Sequence, residues 1–129
     1  MIESSFDALV YAKSLDAVAA CYASVLGVAA TDRAPTHARF AIDGGQLWIH
    51  AIPAAYAAAI QIDTPPSRRE DAAVKLSFFV PSLAQARDAV LALGGGADGA
   101  DRAWAMDGLW HLDAWDCEGN VFQMRAPSP

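Results

Sequence analysis

The sequence predicts an α+β fold of two tandem βαβββ modules, forming cupped, mostly antiparallel sheets with helices on the outside. Three observations lead there. Residues 43–53 line up without a gap with residues 117–127, so that Gly45 meets Gly119, Gln46 meets Asn120, Trp48 meets Phe122 and Pro53 meets Pro127. Residues 7–27 line up with residues 75–95: Ser14-Leu15 matches Ser82-Leu83, Gly27 matches Gly95, and Asp7 falls opposite Lys75. Each half then runs strand, helix and three strands, the mark of an internal duplication.

Residues 6–12 are apolar and aromatic and form the first expected strand. Alternation places Asp7, Leu9 and Tyr11 on one face and Ala8, Val10 and Ala12 on the other, a small apolar set that suits a covering helix. Ser14 is the expected N-cap, with Asp16 in the first turn. Leu15, Val18, Ala19, Tyr22, Val25 and Leu26 recur at helical spacing up to Gly27, a stop signal. A short strand over 28–33 and a better one over 36–42 follow. Gly44-Gly45 turns the chain into a strand over 47–52. Residues 53–60 favour a helix, with Pro53 tolerated in its first turn.

The polar, Pro-rich stretch that follows separates module one (about 4–60) from module two (about 73–127), with the linker at about 61–72. Arg68 and Arg69 are expected as a solvated pair there, with anion binding the alternative. A strand over 74–80 puts Leu76, Phe78 and Val80 on one face and Lys75, Ser77 and Phe79 on the other. Pro81-Ser82 opens a helix with an apolar stripe of Leu83, Ala86, Val90 and Leu93, ended by Gly94-Gly95-Gly96. Those glycines follow a helix, so they are not a dinucleotide-binding loop. Strands within 100–106 and over 109–115 flank the hairpin signal Asp107-Gly108. Turn formers over 116–120 deliver the last strand, which carries Gln123 in its middle.

A chain of 129 residues suits one compact domain. Its 54% apolar content calls for a sizeable core, a subunit interface or an apolar cavity. A net charge of -6 without a basic stripe argues against nucleic acid and gives no reason to expect an anionic membrane. No apolar run spans a membrane, and Met1-Ile2-Glu3-Ser4-Ser5 lacks the features of a signal peptide. Cys21 and Cys117, far apart and without CxxC spacing, are expected as reduced thiols in a cytoplasmic protein.

The duplication, with SLDAVAACYASVLGV after strand one and DCEGNVFQMRAP at the end, resembles the vicinal oxygen chelate superfamily, which holds glyoxalase I, the bleomycin and fosfomycin resistance proteins and the extradiol dioxygenases. Its most specific pieces here are Leu26-Gly27 and the Asp116-x-x-Gly119-Asn120 turn. Cys117 stands where the family usually has Pro. In metal-using members the resemblance implies four ligands, one early in strand one and one in the fourth strand of each module, usually His or Gln and then Glu. Carried onto this chain, those positions are Asp7, Ile49, Lys75 and Gln123. Ile49 has no donor atom, and Lys75 would have to lose a proton to bind a metal. No cofactor is therefore expected and a divalent metal is disfavoured, although a slip of one residue would bring in His50.

In place of a metal, Asp7 and Lys75 could pair across one cavity with Gln123 beside them; the competing reading makes them ordinary charges at exposed strand ends. Tyr11 and Phe79, on the faces of Asp7 and Lys75, are the expected cavity walls. Trp48, Trp104, Trp110 and Trp115 suit a core or a cavity for a flat ligand, and Trp115 is the one carried forward as a cavity candidate. His111 lies on the same face as Asp113, as a structural pair or a base. The expected function is metal-free binding of a small organic molecule in an aromatic-lined cavity of a homodimer. A lyase, isomerase or epimerase is the alternative, and a ligand-free dimerisation module a further one.

Overall fold

The computed structural model describes residues 6–129. The start of module one expected at residues 4–5, and the whole stretch 1–5, lie outside the described residues. Module one runs β1 (Asp7–Ala12), α1 (Leu15–Leu26), β2 (Asp32–Ala34), β3 (His37–Ile42) and β4 (Gly45–Ala51). Its sheet has the order β1-β4-β3-β2; β1 is parallel to β4 and the other pairs are antiparallel. After the single-turn helix α2 (Ala54–Ala57) and the linker comes module two: β5 (Leu76–Phe79), α3 (Leu83–Ala92), β6 (Gly96–Ala97), β7 (Trp104–Met106), β8 (Leu109–Trp115) and β9 (Val121–Ala126). That sheet has the order β5-β9-β8-β6, with β7 also on β8; β5 is parallel to β9. Module two repeats module one, except that the outer strand is split between β6 and β7.

Local chemistry explains the departures from the expected elements. The first outer strand begins only at Asp32, and residues 100–102 make a single 3-10 turn ahead of β7. The short strand β6 was not anticipated, because it lies in the glycine run expected only to end a helix. A Cβ on Gly96 would sit 2.3 Å from the Trp115 ring, so the absent side chain is what lets β6 lie against that indole. At the β7–β8 hairpin, Asp107 and Gly108 have φ of 56° and 76°, as a two-residue turn with both central residues left-handed requires.

One core joins both modules. The helix-facing sides of the sheets supply Phe40, Leu47 and Ile49 from module one and Phe78, Leu112, Phe122 and Met124 from module two. Helix α1 adds Val18, Tyr22 and Val25, and α3 adds Leu83, Ala86 and Val90. Burying each large side chain stabilises the fold by roughly 1.5–3 kcal/mol. Tyr22 carries the contact across the modules: its ring lies 5.4 Å from that of Phe122 and 6.0 Å from that of Phe78.

The Tyr22 hydroxyl donates to Asp116 at 2.8 Å. Asp116 is fully buried, and its carboxylate also accepts from the backbone N–H groups of Glu118 (2.9 Å) and Asn120 (3.1 Å) and from the Asn120 side-chain amide (2.9 Å). Such bonds are what a buried carboxylate needs in place of water. Glu118 in turn accepts from the N–H groups of Lys13 (2.8 Å) and Ser14 (2.7 Å) at the start of α1. Ser14 makes no side-chain cap, so Glu118 serves that helix end from another module. Gly119, at φ 87°, passes under the linker, where a Cβ would meet the Ser67 carbonyl at 2.1 Å. The Asp-x-x-Gly-Asn turn is thus a clasp between β8–β9, α1 and the linker.

Candidate functional site

Each sheet has a face turned away from the helices. These faces carry several exposed large apolar side chains, among them Leu9, Tyr11, Phe79 and Trp104, at 51%, 61%, 53% and 37% exposure.

Comparing the modules strand by strand shifts the repeat read from sequence by one residue. Ala8 and Leu76 occupy the same place in β1 and β5, and they pair with Leu47 and Phe122. Leu47 is therefore the structural counterpart of Phe122, and Trp48, not Ile49, is the counterpart of Gln123. The turn glycines agree, since Gly44 has φ 82° and Gly119 has φ 87°. The sequence had matched Gly45 with Gly119 because two glycines stand together. Ile49 is fully buried on the helix side and does not line the face, a correction that follows from the two-residue period of the strand.

The module-one face is aromatic. Trp48 and His50 stack at 5.7 Å between centroids with planes 28° apart. His37, cross-strand from His50, lies 5.5 Å from the Trp48 ring, Tyr11 lies 6.0 Å from His50, and the Arg39 guanidinium sits 5.1 Å over Trp48. Asp7 takes a hydrogen bond from Trp48 Nε1 at 3.2 Å and a long one from Gln46 at 3.5 Å. Asp32 accepts from His37 at 2.9 Å, and that bond is the main cause of its lowered pKa. Sequence reasoning missed His37 and Arg39 as face residues and did not carry Trp48 forward as a cavity candidate. The signal was present: Leu47 and Ile49 alternate with Trp48 and His50 along one strand.

The module-two face is polar. Lys75 donates to Asp113 at 2.8 Å, and it is this carboxylate, not Asp7, that forms its salt bridge. Ser77 Oγ lies 3.2 Å from Gln123 Oε1 and accepts from Arg125 at 3.1 Å. His111, 4% exposed, has Nδ1 3.0 Å from Gln123 Oε1 and Nε2 3.1 Å from the Met106 carbonyl. A neutral ring satisfies both contacts only if the Gln123 amide is turned to donate to Nδ1. Trp104 covers the imidazole, stacked at 5.5 Å and 16°. The His111–Asp113 pair considered from sequence does not form; Asp113 is held by Lys75 and His111 by Gln123.

Trp115 stands on the same side of β8 as His111 and Asp113, at the end of the strand. Its ring is packed between Gly96 and the Arg68 guanidinium, 4.5 Å from its centroid. Arg68 is also bound to Asp98 at 2.6 Å and Glu70 at 2.5 Å. It pins the linker to module two, so it is neither a solvated charge nor free to take an anion.

No protein-family model matches the sequence, and no curated protein matches it. Solved structures do match. A glyoxalase-related enzyme from Fulvimarina pelagi superposes with a TM-score of 0.68 at 15% identity, over 97% of this chain and 88% of that one. A glyoxalase/bleomycin resistance protein from Albidiferax ferrireducens gives 0.65 at 18%, over 93% and 96%. The genomically encoded fosfomycin resistance protein of Listeria monocytogenes gives 0.63 at 15%, over 98% and 94%. The chain has the glyoxalase/bleomycin-resistance fold. It is the fold that the resemblance of the duplicated sequence implied.

On that glyoxalase fold the four positions implied as metal ligands are Asp7, Trp48, Lys75 and Gln123. They do not suit a metal. An indole offers no lone pair and the ammonium is engaged with a carboxylate, so only two oxygen donors, Asp7 and Gln123, remain. Among the described residues no group of three or more His, Cys, Asp or Glu could hold an ion. The thiols offer no alternative chemistry. Burial, with Asp116 nearby, raises Cys21 to about 12, and burial raises Cys117 to about 11. Neither is a ready thiolate at neutral pH. No helix among the described residues is long and apolar enough to cross a membrane.

Proposed function

We propose that the protein binds a small organic molecule without a metal, in a cavity completed when two copies associate. One observation carries this reading. At the four positions where the fold's metal-using members are implied to hold an ion, this chain places Asp7, Trp48, Lys75 and Gln123, which are hydrogen-bonded to Trp48, Asp113, Ser77 and their neighbours. The aromatic face supplies flat stacking surface and the polar face supplies orienting groups, the combination that small-molecule sites use. A homodimer is supported by the exposed apolar side chains on both faces, which one copy leaves open to solvent.

The test is metal content after purification without chelator or affinity tag, with melting temperatures on adding nickel, zinc, manganese and iron(II), and sedimentation of the same sample. The expected result is a dimer with substoichiometric metal and no shift. A stoichiometric ion, or a rise of several degrees with one of them, overturns the metal-free assignment. A monomer at all concentrations overturns the shared cavity.

A further inference from the structure

We infer that a second pocket, between the modules, binds a free α-amino acid with an apolar side chain. The cavity has a volume of about 440 Å³, within the usual range for small-molecule sites of roughly 300–1,000 Å³. It opens where the β3–β4 turn and the end of α1 approach β5 and β9. Leu26, Val28, Ile42 and Phe79 give it apolar walls. Arg125 enters from module two and Asp43 from module one.

The two charges decide the ligand class. Arg125 spends one N–H on the Ser77 hydroxyl at 3.1 Å and has no acidic partner among the described residues. Asp43, in the turn with Gly44, has no partner at all among them. A guanidinium and a carboxylate thus line one cavity without meeting each other. An anion alone would suffer repulsion from Asp43, and a cation alone repulsion from Arg125. A zwitterion satisfies both: its carboxylate fits the guanidinium fork and its ammonium faces Asp43. The apolar walls then take the side chain. The site shares Ser77, Phe79 and Arg125 with the polar face but needs neither a dimer nor the absence of a metal.

The test uses calorimetric titration of the intact protein with L-leucine and L-phenylalanine, beside N-acetyl-L-leucine and L-leucinamide, which each lack one charge. Binding of a free amino acid is expected, with Arg125→Gln and Asp43→Asn each weakening it about 10- to 100-fold, the usual worth of a charge-assisted bond. Arg125→Lys, which keeps the charge and loses the fork, should fall between. Melting curves confirm that each variant is folded. Equal binding of the acetylated compound, an unaffected Asp43→Asn, or no binding of any amino acid by the folded protein overturns the inference. None of these results bears on metal content or dimerisation.

Discussion

The two sheet faces differ although the scaffold beneath them is the same. Behind the sheets, Leu47 and Phe122 occupy one position, and Ile49 and Met124 the next; all four are fully or almost fully buried. In front, Trp48 stands where Gln123 stands, and Arg39 where Asp113 stands. The core positions keep their apolar character because any polar group there must find a partner inside the protein. The faces carry no such demand, so one became a stack of rings and the other a chain of hydrogen bonds. Duplicated structure is therefore informative about fold and uninformative about chemistry.

The largest effect is expected where the common scaffold is locked. Asp116→Ala removes the acceptor of the Tyr22 hydroxyl, the Asn120 amide and two backbone N–H groups at once. Leaving those donors buried and unpaired should cost about 3–5 kcal/mol in urea unfolding. Asp116→Asn, which keeps one acceptor oxygen, should cost less. A neutral Asp116→Ala would mean that α1 and module two are not joined by this clasp.

Titration sharpens the same point, because the groups with raised pKa lie in the shared interior. Cys21 rises from 9.0 to about 12 and Cys117 from 9.0 to about 11, both mainly through burial. Tyr22 moves well above 10.0 for the same first cause, with Asp116 adding to it. The folded state therefore holds protons that the unfolded chain releases above pH 9. Their contribution to stability should be level below pH 9 and fall as pH climbs through about 11–12. Urea unfolding at pH 8 and pH 10.5 checks the sign, and a gain at pH 10.5 would contradict it.

The sequence exposed more of the scaffold than of the faces. Helical spacing from Leu15 to Leu26 and the Asp107-Gly108 turn are local signals, and both elements formed as expected. The face needed one further fact, which of two adjacent glycines takes the left-handed conformation. Choosing Gly45 in place of Gly44 brought Ile49 forward and hid Trp48. Partner choice was equally illegible: Lys75 reaches Asp113 and Trp115 lies under Arg68 because of sheet order, which no spacing along the chain reveals.

An intermediate effect is expected from the paired positions themselves. Gln123→Leu deprives His111 Nδ1 and Ser77 of their shared partner and should cost about 1–3 kcal/mol. Trp48→Leu should cost about 1–2 kcal/mol through lost ring contacts, without orphaning a buried group. The sharper difference is in binding: a flat aromatic ligand should be lost with Trp48→Leu and only weakened with Gln123→Leu. Loss of equal size in both would mean that the faces are not chemically distinct.

The smallest effect belongs to the ion pair that takes the place of a metal position. The side chain of Lys75 is 45% exposed and that of Asp113 15%, so water screens their attraction. Lys75→Met should therefore change stability by no more than about 1 kcal/mol in a dilute monomer. The other Asp113 oxygen is buried without a partner among the described residues, so in a monomer the loss stays small only because water can reach the oxygen that the ammonium leaves. In a dimer that closes over the same face the pair would be desolvated, and breaking it would strand Asp113 in a dry interface. A loss that grows several-fold with protein concentration would then show that the polar face is covered by a second copy, whereas a small, concentration-independent loss would leave it open to solvent.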